Sequence, residues 1–269
     1  MPRISIGDCA LYYEAHGSGE PLLLVPGLGG VGAGFFKQIP ELSRGYRVIV
    51  HDHRGCGQSD RPIMRYSVEQ MTQDVLHLMD ALGIERAHFL GHSTGGAIGQ
   101  IIAAEQPQRL AKLILSSTWT HADAFFTRLF EARHALLRHT GPMGYLRATS
   151  AVLYPAWWVS QNEPLVAEQE RQQAAAFPPV EVVLSRIEAI MRFDRRSELS
   201  RIRTPTLVTV AAYDMVTPLY FSQGLAKAIP GARLKVFERG GHMPYHVIDE
   251  EYTRAVVDFL SSDSAPKSQ

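Results

Sequence analysis

Phe89-Leu90-Gly91-His92-Ser93-Thr94-Gly95-Gly96 is the stretch on which the fold turns. A short apolar run meets a glycine, a serine stands at the centre of G-x-S-x-G, and two glycines open the next segment. Ala87-His88-Phe89-Leu90 reads as a buried strand, and residues 94–105 carry a helical pattern that Pro107 ends. A strand-to-helix turn this tight forces its serine into a strained backbone, with the hydroxyl at the positive end of a helix. The alternative is a glycine-rich turn in which the serine only caps the helix. A bare pentapeptide would favour that alternative; the strand before and the helix after decide against it.

The surroundings repeat the same rhythm. Leu22-Leu23-Leu24-Val25, Val48-Ile49-Val50, Leu113-Ile114-Leu115 and Leu207-Val208-Thr209-Val210 each read as a buried strand closed by a turn signal. Between two of them, Val68, Met71, Val75, Leu78, Met79 and Leu82 recur at helical spacing. Ser67 with Gln70 predicts a capping box at the start of that helix, and Gly83 predicts its end. Near-continuous apolar strands alternating with helices indicate an α/β chain whose parallel sheet is covered on both faces. Residues 3–6 and 10–15 predict an antiparallel hairpin turned at Gly7-Asp8.

From residue 121 to 196 the strand pattern disappears. The segment is arginine-rich without lysine, and it breaks at Gly141-Pro142, Pro155 and Pro178-Pro179. It reads as a helical cap over 121–196, inserted into a core formed by 1–120 and 197–269. The rhythm resumes from Pro205, with strands at 207–211 and 233–237 and helices at 219–228 and 249–260. The polar stretch after Ser261 reads as a frayed tail.

Lys and Arg number 27 against 27 Asp and Glu, which argues against nucleic acid or an anionic membrane as partner. Hydrophobic content of 45% and charged content of 20% exclude wholesale disorder. Two cysteines, Cys9 and Cys56, cannot build a disulfide framework, so a reducing compartment is the simpler expectation. The first twelve residues lack the apolar core of a signal peptide, and the run at Leu22 stops at Pro26. The expectation is a soluble, cytoplasmic protein, monomer or homodimer.

Serine is a poor nucleophile alone and needs a base, itself held by an anion. Gly240-Gly241-His242-Met243-Pro244 comes after the strand at 233–237, and its glycines free the backbone to aim the imidazole. Asp214 lies beyond the strand at 207–211 and precedes Pro218. The chain order Ser93, Asp214, His242 is one of the three common orders of a serine triad. Asp123 is the fallback acid, and a plain turn or cap is the alternative role for Asp214. Pro26-Gly27-Leu28-Gly29-Gly30, after the strand at 22–25, sits where an oxyanion loop belongs; the expected donors are the N–H groups of Leu28 and Thr94. His51-x-His53 suggests a metal, yet no third ligand accompanies the pair at usable spacing, so none is expected.

With these pieces, the chain resembles the α/β-hydrolase superfamily over nearly its full length. The resemblance rests on the oxyanion loop, the D-x-R-G-x-G-x-S segment from Asp52 to Ser59, the elbow at Ser93, Asp214 and Gly241-His242. Enol-lactonases and the aminoacrylate hydrolases of pyrimidine breakdown look most similar, the latter through Val152-Leu153-Tyr154-Pro155-Ala156-Trp157. The resemblance implies a mostly parallel eight-stranded sheet with a helical cap after the sixth strand. It also implies a cofactor-free hydrolase whose partners are a small substrate and water. Dehalogenases and epoxide hydrolases of this fold place aspartate at the elbow, so Ser93 implies attack on a carbonyl. The expected substrate is a small ester, enol-lactone or related amide or carbamate. Carbon–carbon bond hydrolysis, perhydrolysis and a non-catalytic receptor are the rivals.

The cap should lie over the sheet's C-terminal edge, where ligands bind in open α/β folds. Trp119, Phe125, Tyr154, Trp157, Trp158 and Met243 are the expected pocket walls, with His121 and Phe126 beside them. Arg128, Arg133, Arg138 and Arg147 are candidate partners for a substrate carboxylate, and surface ion pairs are their alternative.

Overall fold

The computed structural model describes residues 2–262, so residues 263–269, expected to form a frayed tail, lie outside the described residues. The chain opens with β1 (Arg3–Ser5) and β2 (Ala10–His16), an antiparallel hairpin, then β3 (Glu20–Val25), a short α1 (Ile39–Leu42) and β4 (Tyr46–His51). Next come α2 (Val68–Ala81), β5 (Ala87–His92), α3 (Thr94–Glu105) and β6 (Leu110–Ser116). Four helices precede the next strand: α4 (Ala124–Leu153), α5 (Ala156–Gln161), α6 (Glu163–Ala175) and α7 (Val180–Arg192). The chain ends with β7 (Thr206–Ala211), α8 (Leu219–Ala228), β8 (Arg233–Phe237), α9 (Pro244–Val247) and α10 (Asp249–Ser261).

The eight strands make one sheet in the order β1-β2-β4-β3-β5-β6-β7-β8. β2 pairs antiparallel with β4, and every pair from β4 to β8 is parallel. β4 lies on one side of β3 and β5 on the other, so the winding reverses there. The loops after β3 and β5 therefore flank a crevice at the strands' C-terminal ends, the usual ligand position in such sheets.

Alternation within the strands feeds two apolar layers. Leu23, Val25, Ile49, Phe89, Leu113 and Val208 face α2, α3 and the inserted helices. Leu22, Leu24, Val48, Val50, Leu90 and Ile114 face Tyr252, Val256 and Phe259 of α10. β8 closes the sheet with Arg233 and Lys235 exposed, charges that discourage pairing with another chain at that edge.

Ser67 caps α2 as expected, accepting from the Gln70 amide at 3.0 Å, and Gly83 ends it at φ 66°. The reciprocal half of the predicted capping box is missing. Gln70 instead turns its side-chain amide to Asp74, because that carboxylate is already buried beside Arg54 and needs donors. The predicted break at Gly141-Pro142 is a kink within α4, with Gly141 at φ 70°.

The D-x-R-G-x-G-x-S segment binds the first hairpin to the rest. Arg54 donates to Asp8 and Asp74, and Ser59 accepts from the Tyr12 amide at 2.9 Å. Asp52 accepts from the amides of Gly32 and Gln58 at 2.9 and 2.8 Å. No helix among the described residues is long and apolar enough to cross a membrane.

His51, at the end of β4, is 1% exposed and neither ring nitrogen has a partner among the described residues. Burial, and then the charge of Arg186, push its pKa down to about 4. The unfolded chain takes up that proton below the ordinary value of 6.5 and the folded chain does not. Its contribution to stability is thus complete above pH 6.5 and is lost as pH falls towards 4. We expect His51→Leu to reduce the loss of unfolding free energy between pH 7 and pH 5 by about 2 kcal/mol, measured by urea titration.

Candidate active site

Ser93 stands between β5 and α3 at φ 52° and ψ −113°. Such a backbone costs an L-residue about 1–3 kcal/mol and persists only when neighbours fix it. They do so here: the Ser93 amide donates to Ser116 O at 2.8 Å, and Thr118 Oγ1 donates to Ser93 O at 2.8 Å. Glycine is required around it. A Cβ on Gly91 would lie 2.2 Å from Gly95 O, and one on Gly95 would lie 2.1 Å from Val25 O. Ser117, after β6, is the other non-glycine residue with positive φ among the described residues, at 47°. Both strained residues end neighbouring strands at the crevice.

The loop after β3 lies against this turn, since a Cβ on Gly27 would come 3.1 Å from Ser93 Cβ. Its carbonyls are already engaged. Gly30 N donates to Gly27 O at 3.0 Å, His53 Nε2 to Pro26 O at 3.0 Å, and Arg186 Nη2 to Leu28 O at 3.2 Å. The amides of Leu28 and Thr94 donate to no protein acceptor among the described residues. For Thr94 the cause is its place in the first turn of α3, whose N–H groups lack intrahelical partners. Two free donors thus flank the serine, at the positive end of a helix.

Asp214 and His242 meet as the sequence predicts. His242 Nδ1 faces Asp214 Oδ1 and Oδ2 at 3.0 and 2.9 Å, and both residues are 3% exposed. Asp214 also accepts from the amides of Val216 and Thr217 at 2.8 Å each and from Thr217 Oγ1 at 2.9 Å. Burial opposes its charge, but the His242 imidazole and the Thr217 and Val216 amides outweigh burial and hold the carboxyl below 3.8. A carboxylate on Nδ1 puts the proton there and leaves Nε2 with its lone pair. The loop carrying His242 touches the inserted helices, as His242 N donates to Leu153 O at 2.9 Å.

Asp123 takes the role that was the alternative for Asp214. It caps α4 by accepting from Phe126 N at 2.8 Å and receives Tyr220 Oη at 2.6 Å. His246 sits in α9, where Nε2 donates to Gly34 O at 2.7 Å and Nδ1 accepts from Tyr154 Oη at 3.1 Å.

The expected pocket walls divide by exposure. Trp119 is fully buried and stacked on Phe126 at 4.9 Å, and Tyr154 is buried and stacked on Trp158 at 4.4 Å. Phe125 and Trp157 are 45% and 41% exposed, so on this stretch of α4 the inward ring is Phe126. Met243 packs on the layer beneath α10. Arg128, Arg138 and Arg147 are exposed; Arg133 is buried, donating to Tyr145 Oη and Thr149 Oγ1 between the two arms of α4.

Three residues escape the sequence reading. His92 lies under His242 with ring centroids 4.9 Å apart, and burial, then His242 and His246, drive its pKa well below 6.5. Thr217 braces Asp214, as a hydroxyl three residues after the acid hints. Arg186 contacts the loop after β3, and the signal for it is an arginine amid the apolar positions of α7.

Residues 20–247 match the family described as the alpha/beta hydrolase fold. The provisionally named carbamate hydrolase RutD of Azorhizobium caulinodans is 40% identical over 260 residues, covering 96% of this chain and 98% of that protein. The enol-lactonase of Burkholderia xenovorans LB400 superposes with a TM-score of 0.90 at 29% identity, over 97% of this chain and 100% of its own. A malate-bound thermophilic esterase from Thermogutta terrifontis gives 0.85 at 28% identity, over 96% and 97%.

Gly95 offers a direct test of the turn. Its neighbour is a backbone oxygen that cannot yield, so Gly95→Ala should cost more than about 2 kcal/mol. Calorimetry should then show a melting temperature lower by about 5 °C or more.

Proposed function

The chain belongs to the alpha/beta hydrolase fold family, and from that premise we propose that it is a cofactor-independent serine hydrolase cleaving a small ester- or carbamate-type carbonyl substrate. The enol-lactonase and carbamate hydrolase relatives support this substrate range, which takes in enol-lactones and related amides. Residues 121–196 serve as the cap, over a core of 1–120 and 197–269.

In this reading, His242 Nε2 takes the proton of Ser93 Oγ as the oxygen attacks the carbonyl carbon. The N–H groups of Leu28 and Thr94 hold the oxyanion. His242 returns the proton to the leaving group, and the bond to it breaks, leaving an acyl- or carbamoyl-serine. Water then adds with the same base, and Ser93 is restored. Asp214 fixes the imidazole tautomer and stabilises its charged form. Base assistance of this kind is worth roughly 10²–10⁴-fold, and each oxyanion donor about 3 kcal/mol.

The observation that carries the reading is the bond from His242 Nδ1 to a carboxylate that three further donors already hold. An imidazole fixed at one nitrogen, its ring 4.9 Å from that of the residue before a strained serine, supports proton abstraction as its use. Ser93 and His242 are 7% and 3% exposed, so substrate approaches between the cap and the sheet edge.

Ser93→Ala should lower turnover of p-nitrophenyl acetate by at least about 10⁴-fold. A fluorophosphonate probe should label the wild type at Ser93 and leave the variant unlabelled. Asp214→Asn should lose about 10³-fold or more in kcat while still folding, since the amide oxygen can accept from Val216 and Thr217. Full turnover by Ser93→Ala would end the proposal.

A further inference from the structure

Arg186 has no part in the hydrolytic steps, yet its burial demands an explanation. It lies on α7 four residues from both Val182 and Ile190, which are buried, so the helical repeat sends it into the apolar stripe. The side chain is 0% exposed. Nη1 donates to Arg54 O at 3.1 Å, Nη2 donates to Leu28 O at 3.2 Å, and the guanidinium stands 5.8 Å from the Tyr66 ring centre. Nε has no partner, and no carboxylate lies within salt-bridge distance of Arg186 among the described residues.

A buried cation without a counter-ion is costly, and neutral carbonyls offset only part of that cost. An apolar side chain would fill the place at less expense, so filling space or joining α7 to the core does not account for an arginine. Its two neighbouring histidines add no negative charge. His51 is held neutral with a pKa of about 4, and burial, first of all, holds that of His53 well below 6.5. The acid of the same segment, Asp52, spends its oxygens on the Gly32 and Gln58 amides.

The guanidinium does touch the residue expected to supply an oxyanion donor. Gly30 N claims Gly27 O, and in a trans peptide the Leu28 N–H points the opposite way. Arg186 then fixes the next peptide through Leu28 O, so both peptide planes around Leu28 are pinned.

We propose that Arg186 is a positioning residue that holds Leu28 with its N–H aimed at the substrate's oxyanion, and that its uncompensated charge behind the loop strengthens that donor. The inference rests on the reading of Ser93 as nucleophile with Leu28 and Thr94 as donors. Preorganised charge of this kind acts on the tetrahedral state more than on the neutral substrate.

The test uses the full chain with Arg186→Met and Arg186→Lys. Phenylboronic acid, which adds to an active serine as a tetrahedral anion, is the probe, beside kcat and KM for p-nitrophenyl acetate and the melting temperature. Arg186→Met should raise the boronate Ki and lower kcat by about 10–100-fold each, with KM within about 3-fold. Its melting temperature should stay within about 4 °C of the wild type's, because removal of an unpaired buried charge offsets the two carbonyls left without a donor. Arg186→Lys, which keeps the charge and one donor, should recover about half of the lost factor on a logarithmic scale. Unchanged boronate affinity in Arg186→Met overturns the proposal. So does a joint fall of kcat and melting temperature that lysine does not relieve, which would mark a mere brace. If the methionine variant does not fold, Arg186→Lys decides alone, and a boronate Ki weakened by the same factor as kcat supports the proposal. Loss of fluorophosphonate labelling at Ser93 in the wild type would instead sink the serine mechanism, whereas labelled wild type with an indifferent Arg186→Met sinks only this inference.

Discussion

The left-handed backbone at Ser93 is the constraint around which this molecule is arranged. A residue at φ 52° and ψ −113° relaxes unless its surroundings forbid it, and each neighbour contributes to that prohibition. β6 takes the serine amide, Thr118 takes its carbonyl, and β3 presses a backbone oxygen against Gly95. The parallel strands are therefore more than scaffolding. They hold two chain reversals, after β3 and β5, so close that a single added carbon would separate them.

Around that turn the protein buries polar groups that an ordinary core would exclude. Asp214 is offset by four donors, and His92 stays neutral beneath His242. Behind the loop after β3, His53 and Arg186 take carbonyls that would otherwise be left unpaired. Each such group costs stability unless satisfied, and these satisfy one another. Among the buried polar atoms left without a partner are both nitrogens of His51 and Nε of Arg186 behind that loop, and His92 Nδ1 and Thr94 Oγ1 beside the turn. The two positive-φ non-glycine residues among the described residues, Ser93 and Ser117, thus both lie at the C-terminal end of the sheet.

How much of this is legible in the sequence depends on how local the cause is. Strands such as Leu22-Leu23-Leu24-Val25, the turn at Ser93, the Ser67 cap and the Gly141-Pro142 kink arise from residues a few positions apart, and the structure has them. The meeting of Asp214 with His242 is long-range, but fixed loops at the ends of adjacent parallel strands make it readable. Rotational phase is harder. Phe125 and Phe126 are equally aromatic, and only the way the first turn of α4 packs on Trp119 and Phe221 shows that Phe126 turns inward. Gln70 shows the same limit, because its choice of Asp74 over the Ser67 backbone depends on a buried Arg54 that local spacing does not reveal. Arg186 is hidden by composition: in an arginine-rich segment, one arginine on the apolar stripe is easily lost among surface ones.

The hydrogen bond from His242 N to Leu153 O joins the last turn of α4 to the main chain of the proposed base. Any displacement that lifts the end of α4 clear of the sheet must sever this tether. The docking of α4 thus lends the loop that carries His242 one main-chain restraint that the loop's own residues do not supply.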